Sequence, residues 1–157
     1  MITFNQTVST ELVAQHVVFL PFHQRVKGRL RIKTEDGLDA GIVTERGSEL
    51  KGGDKLSDGS GRILEIRASN EPVSVATTND GLLFSRACYH IGNRHAEVQI
   101  KAGTLIYLSD PVLDEMLSLL GLDVSNAELT FSPEKGAYHK GHAHSHGDHS
   151  HSHSHSH

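Results

Sequence analysis

Residues 73–131 read VSVATTNDGLLFSRACYHIGNRHAEVQIKAGTLIYLSDPVLDEMLSLLGLDVSNAELTF. The stretch opens on Val73-Ser74-Val75-Ala76-Thr77, a β-branched run that predicts a strand. Thr78-Asn79-Asp80 then offers side-chain oxygens for capping a helix, ahead of Leu82, Leu83, Phe84, Ala87, Cys88 and Ile91. Gly92-Asn93 ends that helix. Glu97-Val98-Gln99-Ile100 and Thr104-Leu105-Ile106-Tyr107-Leu108, split by Ala102-Gly103, predict a hairpin. Asp110-Pro111 opens a second helix, with Asp as N-cap and Pro at the first helical position. Val112, Leu113, Met116, Leu117 and Leu120 give it an apolar face, and Gly121 stops it. Ala127-Glu128-Leu129-Thr130-Phe131 reads as a last strand. The order β-α-β-β-α-β is the ferredoxin-like arrangement, a sheet covered on one face by two helices.

Upstream the pattern is different. Val17-Val18-Phe19-Leu20 is a compact apolar run stopped by Pro21, and Arg29-Leu30-Arg31-Ile32-Lys33 alternates as a half-buried strand does. Gly41-Ile42-Val43 and Ile63-Leu64-Glu65-Ile66-Arg67 are further strand candidates. Turn signals lie at Glu35-Asp36-Gly37, Arg46-Gly47 and Gly52-Gly53-Asp54. No helical periodicity is sustained, so a small antiparallel β domain is expected. Pro72 cannot donate to a ladder and holds Glu71 extended, which places a boundary there. After Pro133 apolar periodicity is lost. The expected class is α+β: an N-terminal antiparallel β domain over 1–71, a ferredoxin-like domain over 72–133, and a disordered His-rich tail over 134–157, whose composition cannot offset the entropy of ordering.

The tail carries nine of the thirteen histidines, between His139 and His157. It reads HKGHAHSHGDHSHSHSHSH, with strict Ser-His alternation from Ser150. A terminal His run can also be an engineered tag, but tags are usually uninterrupted His blocks, whereas here Ser, Ala, Gly and Asp are interleaved. Neutral imidazole is a ready metal ligand, and short His-rich tracts read as metal-binding. In an extended chain alternate imidazoles lie about 6–7 Å apart on one side. Two neighbours therefore grip one ion only if the chain curls. Each site then carries an ordering cost, which suits capture and buffering better than rigid catalysis. Imidazole accepts zinc, copper, iron and nickel alike, with copper highest in intrinsic affinity. Below about pH 6.5 protonation competes with metal.

A longer-lived site needs donors on the folded body, where His16, His23, His90 and His95 are available. His16 sits at an ordinary strand position and His23 in the turn after Pro21. His90 follows Ala87 by three and Leu83 by seven, which places it toward the buried face as a core histidine. His95 follows the helix end and is free to point outward.

Other classes are disfavoured. The formal charge of −4 argues against a nucleic-acid partner. No apolar run is long enough to span a membrane. The N-terminus lacks the basic and apolar regions of a secretory signal. Cys88 is the only cysteine, so no intrachain disulfide can form, and a reducing cytoplasm is expected. Cys88 and His90 tempt a nucleophile–base reading, but residues two apart on a helix point in different directions. No Ser-His-Asp order, P-loop or HExxH motif is present. The chain is expected not to be an enzyme.

The tract Cys88-Tyr89-His90-Ile91-Gly92-Asn93-Arg94-His95 resembles the YHLGNRH signature of the UreE-type urease accessory proteins, with Ile91 in place of Leu. Thr34-Glu35-Asp36-Gly37 with Ala40-Gly41-Ile42, Arg46-Gly47 with Gly52-Gly53-Asp54, Asp110-Pro111-Val112-Leu113-Asp114-Glu115-Met116, and Gly136-Ala137-Tyr138 match as well, in order along essentially the whole chain. The resemblance implies a homodimeric nickel metallochaperone with an N-terminal domain called peptide-binding and a ferredoxin-like metal-binding domain. It implies that His95 is the key ligand, two copies meeting at the dimer two-fold. The tail histidines His139, His142, His144, His146, His149, His151, His153, His155 and His157 would add ligands and storage. Ni(II) would pass to apo-urease through the accessory GTPase and its complex with apo-urease. Some members carry a histidine in a D-H-V-L-D context before the second helix. Here the stretch is Ser109-Asp110-Pro111, which supplies no imidazole. The alternative reading, which the tail alone supports, is a general buffer or store for Ni(II), Zn(II) or Cu(II).

Overall fold

The computed structural model describes residues 1–137. The tail histidines His139 to His157, and the expectation of disorder there, lie outside the described residues. The elements in chain order are β1 (Ile2–Phe4), β2 (Gln6–Val8), β3 (His16–Leu20), α1 (Phe22–Arg25), β4 (Arg29–Lys33), β5 (Asp39–Val43), β6 (Lys55–Ser57) and β7 (Ile63–Ala68). They continue with β8 (Glu71–Thr77), α2 (Gly81–Asn93), β9 (Gln99–Lys101), β10 (Thr104–Leu108), α3 (Pro111–Leu120) and β11 (Asp123–Leu129). The class is mixed α+β, mostly sheet with few helices, and none of the described helices is long and apolar enough to cross a membrane.

The first seven strands form two sheets, ordered β1-β5-β4 and β2-β6-β7-β3. They share one buried cluster that includes Phe4, Val18, Leu20, Ile32, Ile42, Leu56, Leu64 and Ile66. The expectation of an antiparallel N-terminal unit needs correction, because β1 pairs parallel with β5 and β3 pairs parallel with β7. Alternation in sequence shows which face of a strand is buried but not the direction of its neighbour. Parallel partners need long connections, and those of β1 and β3 lie far along the chain. Strands β1, β2 and β6 are three residues each, too short for periodicity to register.

The third sheet has the order β11-β8-β10-β9. Alternation in β8 and β10 gives it two apolar faces. Ala76, Leu105 and Tyr107 meet Ala87 and Ile91 of α2 and Leu113 and Leu117 of α3. Val73 and Ile106 point the other way and meet Phe22 and Phe131. Both helices start where capping chemistry puts them. The Asp80 carboxylate accepts from the Leu82 and Leu83 amides, and the Asp110 carboxylate from those of Val112 and Leu113. The last strand runs over Asp123–Leu129 rather than 127–131. Phe131 has left the ladder to fill the face opposite the helices, where it is fully buried.

Between β9 and β10 the chain turns tightly at Gly103, whose φ of +64° lies in the left-handed region. A Cβ there would sit 2.8 Å from the Thr78 carbonyl oxygen. Gly103→Ala therefore meets both strain and a backbone clash, at a cost on the order of 1–3 kcal/mol. Urea titration should show a lower midpoint with an unchanged slope.

Candidate metal centre

Helix α2 delivers the signature residues. Its buried stripe is centred on Ala87 and Ile91, with Cys88 partly buried beside them. His90 is exposed, contrary to the expectation of a core position. On a helix it lies about 100° behind Ile91, off the edge of the stripe. Its ring packs edge-on against Tyr89 at 5.3 Å instead.

The helix ends at Asn93, where Gly92-Asn93 predicts its end. Gly92 and Asn93 remain helical, the Arg94 amide donates to the Ile91 carbonyl, and the His95 amide donates to Gly92. The left-handed step falls on His95 itself, with φ of 55°. Among the described residues it is the one non-glycine position with positive φ. Such a conformation costs roughly 1–2 kcal/mol for an L-residue. His95 is exposed, as its loop position suggested.

Beside this loop, a cleft of about 460 Å³ lies between α2 and α3, lined by His90, Arg94, Val112, Glu115, Met116 and Leu119 among others. Two of its apolar lining residues are exposed, Val112 at 58% and Leu119 at 81%, and Tyr89 of α2 is 66% exposed. Helix α3 is fixed on the sheet by the Tyr107 hydroxyl, which donates to Asp114 at 2.6 Å. Burial, followed by the Asp114 carboxylate, pushes that phenol well above its ordinary range.

The other body histidines lie elsewhere. The His16 Nδ1 is 2.9 Å from an Asp36 carboxylate oxygen. Hydrogen bonds from Thr34, and then His16, hold the Asp36 carboxyl below the usual carboxylate range. The His23 Nε2 lies 3.5 Å from a Glu97 oxygen, with both side chains exposed. Among the described residues no three His, Cys, Asp or Glu side chains gather so that they could hold one ion. Among the described residues His95 therefore belongs to no such group. Burial raises the Cys88 thiol above its ordinary value. A raised thiol is a poor nucleophile at neutral pH.

The left-handed step at His95 and the cleft beside it are what sequence reasoning missed. Gly92-Asn93 signalled a helix end, but no local rule moves that conformation two residues on.

Models of the UreE urease accessory protein family match the chain in two parts, the N-terminal domain over residues 6–69 and the C-terminal domain over residues 71–157. The chain is 43% identical over 151 residues to a urease accessory protein UreE of Citrobacter koseri, covering 91% of this chain and 99% of that protein. It is 46% identical over 139 residues to the namesake from an Enterobacter species, covering 88% and 91%. It is 43% identical over 138 residues to that of Alkalilimnicola ehrlichii, covering 88% and 85%.

Two outcomes follow from this geometry. His95→Gly should be more stable than His95→Ala by about 1 kcal/mol in chemical denaturation, because glycine alone enters the left-handed region freely. Cys88 should react with a disulfide reagent at pH 7 more slowly than free cysteine. Its rate should climb with pH beyond the point where an ordinary thiol has levelled off.

Proposed function

The chain belongs to the UreE family, urease accessory proteins rather than enzymes, and from this premise we propose that it carries Ni(II) to apo-urease during assembly of the urease metallocentre. The observation that carries this reading is the exposed His95 imidazole, held in a left-handed loop at the end of α2 beside an uncovered apolar cleft. A lone imidazole cannot retain an ion. In a homodimer with isologous contact, one residue supplies two donors at the two-fold. Tyr89, Val112 and Leu119 offer the apolar surface such a contact would cover.

In this reading the chain divides into an N-terminal β domain over 1–71, a ferredoxin-like metal-binding domain over 72–133 and the His-rich tail over 134–157. The tail imidazoles from His139 to His157 gather Ni(II) and complete the shell at His95. The nickel is cargo. Neutral nitrogen donors on an ordering-limited chain hold it firmly enough to carry and loosely enough to surrender. The recipients are the urease accessory GTPase and its complex with apo-urease, in the cytoplasm, where a lone free thiol stays reduced. Zn(II) and Cu(II) should compete in vitro, since imidazole does not discriminate strongly.

The test is urease activation at limiting nickel, in cells lacking the protein and rescued by wild type or by His95→Ala. The expected outcome is rescue by wild type and at least a ten-fold lower urease activity with His95→Ala, at equal protein level. Equal rescue by both would remove His95 from the transfer path. Nickel loading of purified apo-urease that is no faster with this protein and the GTPase present would favour the general buffer.

A further inference from the structure

Strand β5 carries a glycine at its centre. Ala40, Gly41 and Ile42 pair without a break with Ile2, Thr3 and Phe4 of β1, and on the other side Gly41 stands opposite Arg31 of β4. Its backbone lies outside the left-handed region, and a Cβ built on it would meet nothing nearer than the Thr3 hydroxyl at 3.7 Å. Neither conformation nor crowding therefore calls for glycine, in a strand interior that glycine weakens. Phe4, Ile32, Ala40 and Ile42 face the core, so the alternate positions face outward. Over Gly41 on that outer face lies a groove of about 330 Å³. Arg29 and Arg31 of β4 line one side of it, Met1 and Thr3 the other, and Val43 the continuation of β5. The same face is unevenly charged. Lys33 stands opposite Asp39, which balances it. Arg29 stands opposite Val43 and Arg31 opposite Gly41, and neither exposed guanidinium is in an ion pair among the described residues. Cations on an edge strand discourage unwanted strand pairing. That accounts for the arginines but not for the glycine between them and Met1.

We propose that this groove takes an extended segment of a partner protein in which acidic and apolar side chains alternate. Arg29 and Arg31 are two apart on one strand, which sets their side chains about 7 Å apart. An extended chain repeats its own side chains at the same interval. Laid along β5, it presents carboxylates to the two guanidiniums, whose planar forks suit them. Its alternate apolar side chains fill the space over Gly41, beside Met1 and Val43. A nucleic acid fits less well. It needs a broad basic stripe or aromatic rings to stack on, and no aromatic side chain among the described residues lines this groove. The formal charge of −4 on the chain also opposes a polyanion, whereas a short acidic segment meets only the local cations. A contact of this size gives weak, transient engagement. The inference concerns a different unit from His95 and is independent of the nickel reading.

The test is fluorescence anisotropy of a short fluorescein-labelled peptide alternating glutamate with leucine, titrated with the full-length protein. A chelator removes metal bridges, and a pH of about 8 keeps the imidazoles neutral. Saturable binding to wild type is expected. Arg29→Gln/Arg31→Gln should weaken it roughly ten-fold by removing both charged partners. Gly41→Leu keeps both charges and fills the groove, and should weaken it roughly five-fold. Urea midpoints at or above that of wild type confirm that the sheet is intact in both variants. A peptide alternating glutamate with serine should bind more weakly than the leucine peptide by a similar factor. Absence of saturable binding to wild type, or unchanged affinity in Gly41→Leu, would overturn the proposal. Displacement of the labelled peptide by a single-stranded oligonucleotide at equal charge would assign the face to nucleic acid and overturn it as well.

Discussion

The guanidinium of Arg25 is buried completely, and the arrangement of the two units turns on how it is satisfied. Its nitrogens reach the carbonyls of Leu20 at 3.2 Å, Leu50 at 3.1 Å and Phe131 at 2.5 Å, with the Glu49 carboxylate at 3.5 Å. A buried cation stripped of such partners costs several kcal/mol. Three distant stretches of chain are therefore fixed to one another: the end of β3, the loop before β6 and the segment after β11. Close by, the Phe22 amide donates to the buried Glu71 carboxylate at 2.9 Å, which ties α1 to the first residue of β8. The short α1, four residues with no sustained periodicity, is in this way the joint between the N-terminal sheets and the third sheet.

That joint leaves the helical layer of the third sheet free. One face of the sheet is closed by α2 and α3, the other by α1 and the Phe131 crossing. The outer surface of the helices keeps Tyr89, Val112 and Leu119 in solvent, next to a loop whose one unusual backbone angle belongs to His95. In the proposed role these features belong together. An imidazole without local partners binds nickel only when other donors are brought to it, and can release the ion when they are withdrawn.

Much of the second half was legible because its signals are local. Asp80 and Asp110 announce helix starts, Asp110-Pro111 fixes the phase of α3, and the 104–108 strand is read to the residue. The N-terminal unit was less legible. Its parallel pairs join segments far apart in sequence, and three-residue strands such as β2 have no period to detect. Phe131 was read as a strand residue because it extends an apolar alternation, yet the empty face of the sheet claims it. His90 was misplaced by counting from Leu83 and Ala87, when the buried stripe is set jointly by Ala87 and Ile91. At His95 the sequence showed an exposed loop histidine, and the signature around it carried the family resemblance. The left-handed angle at His95 had no such signal, because it falls on a residue that is not glycine.

The central claim is that His95, and not the tail alone, creates a shared nickel position between two copies. Native mass spectrometry of the chain ended at Gly136, loaded with Ni(II) and desalted against a weak chelator, tests it most directly. The expected species is a dimer carrying one nickel ion, converted by His95→Ala to a metal-free dimer. A tail-less dimer that retains no nickel, or one that retains it equally with His95→Ala, would contradict the claim and leave the tail as the only donor.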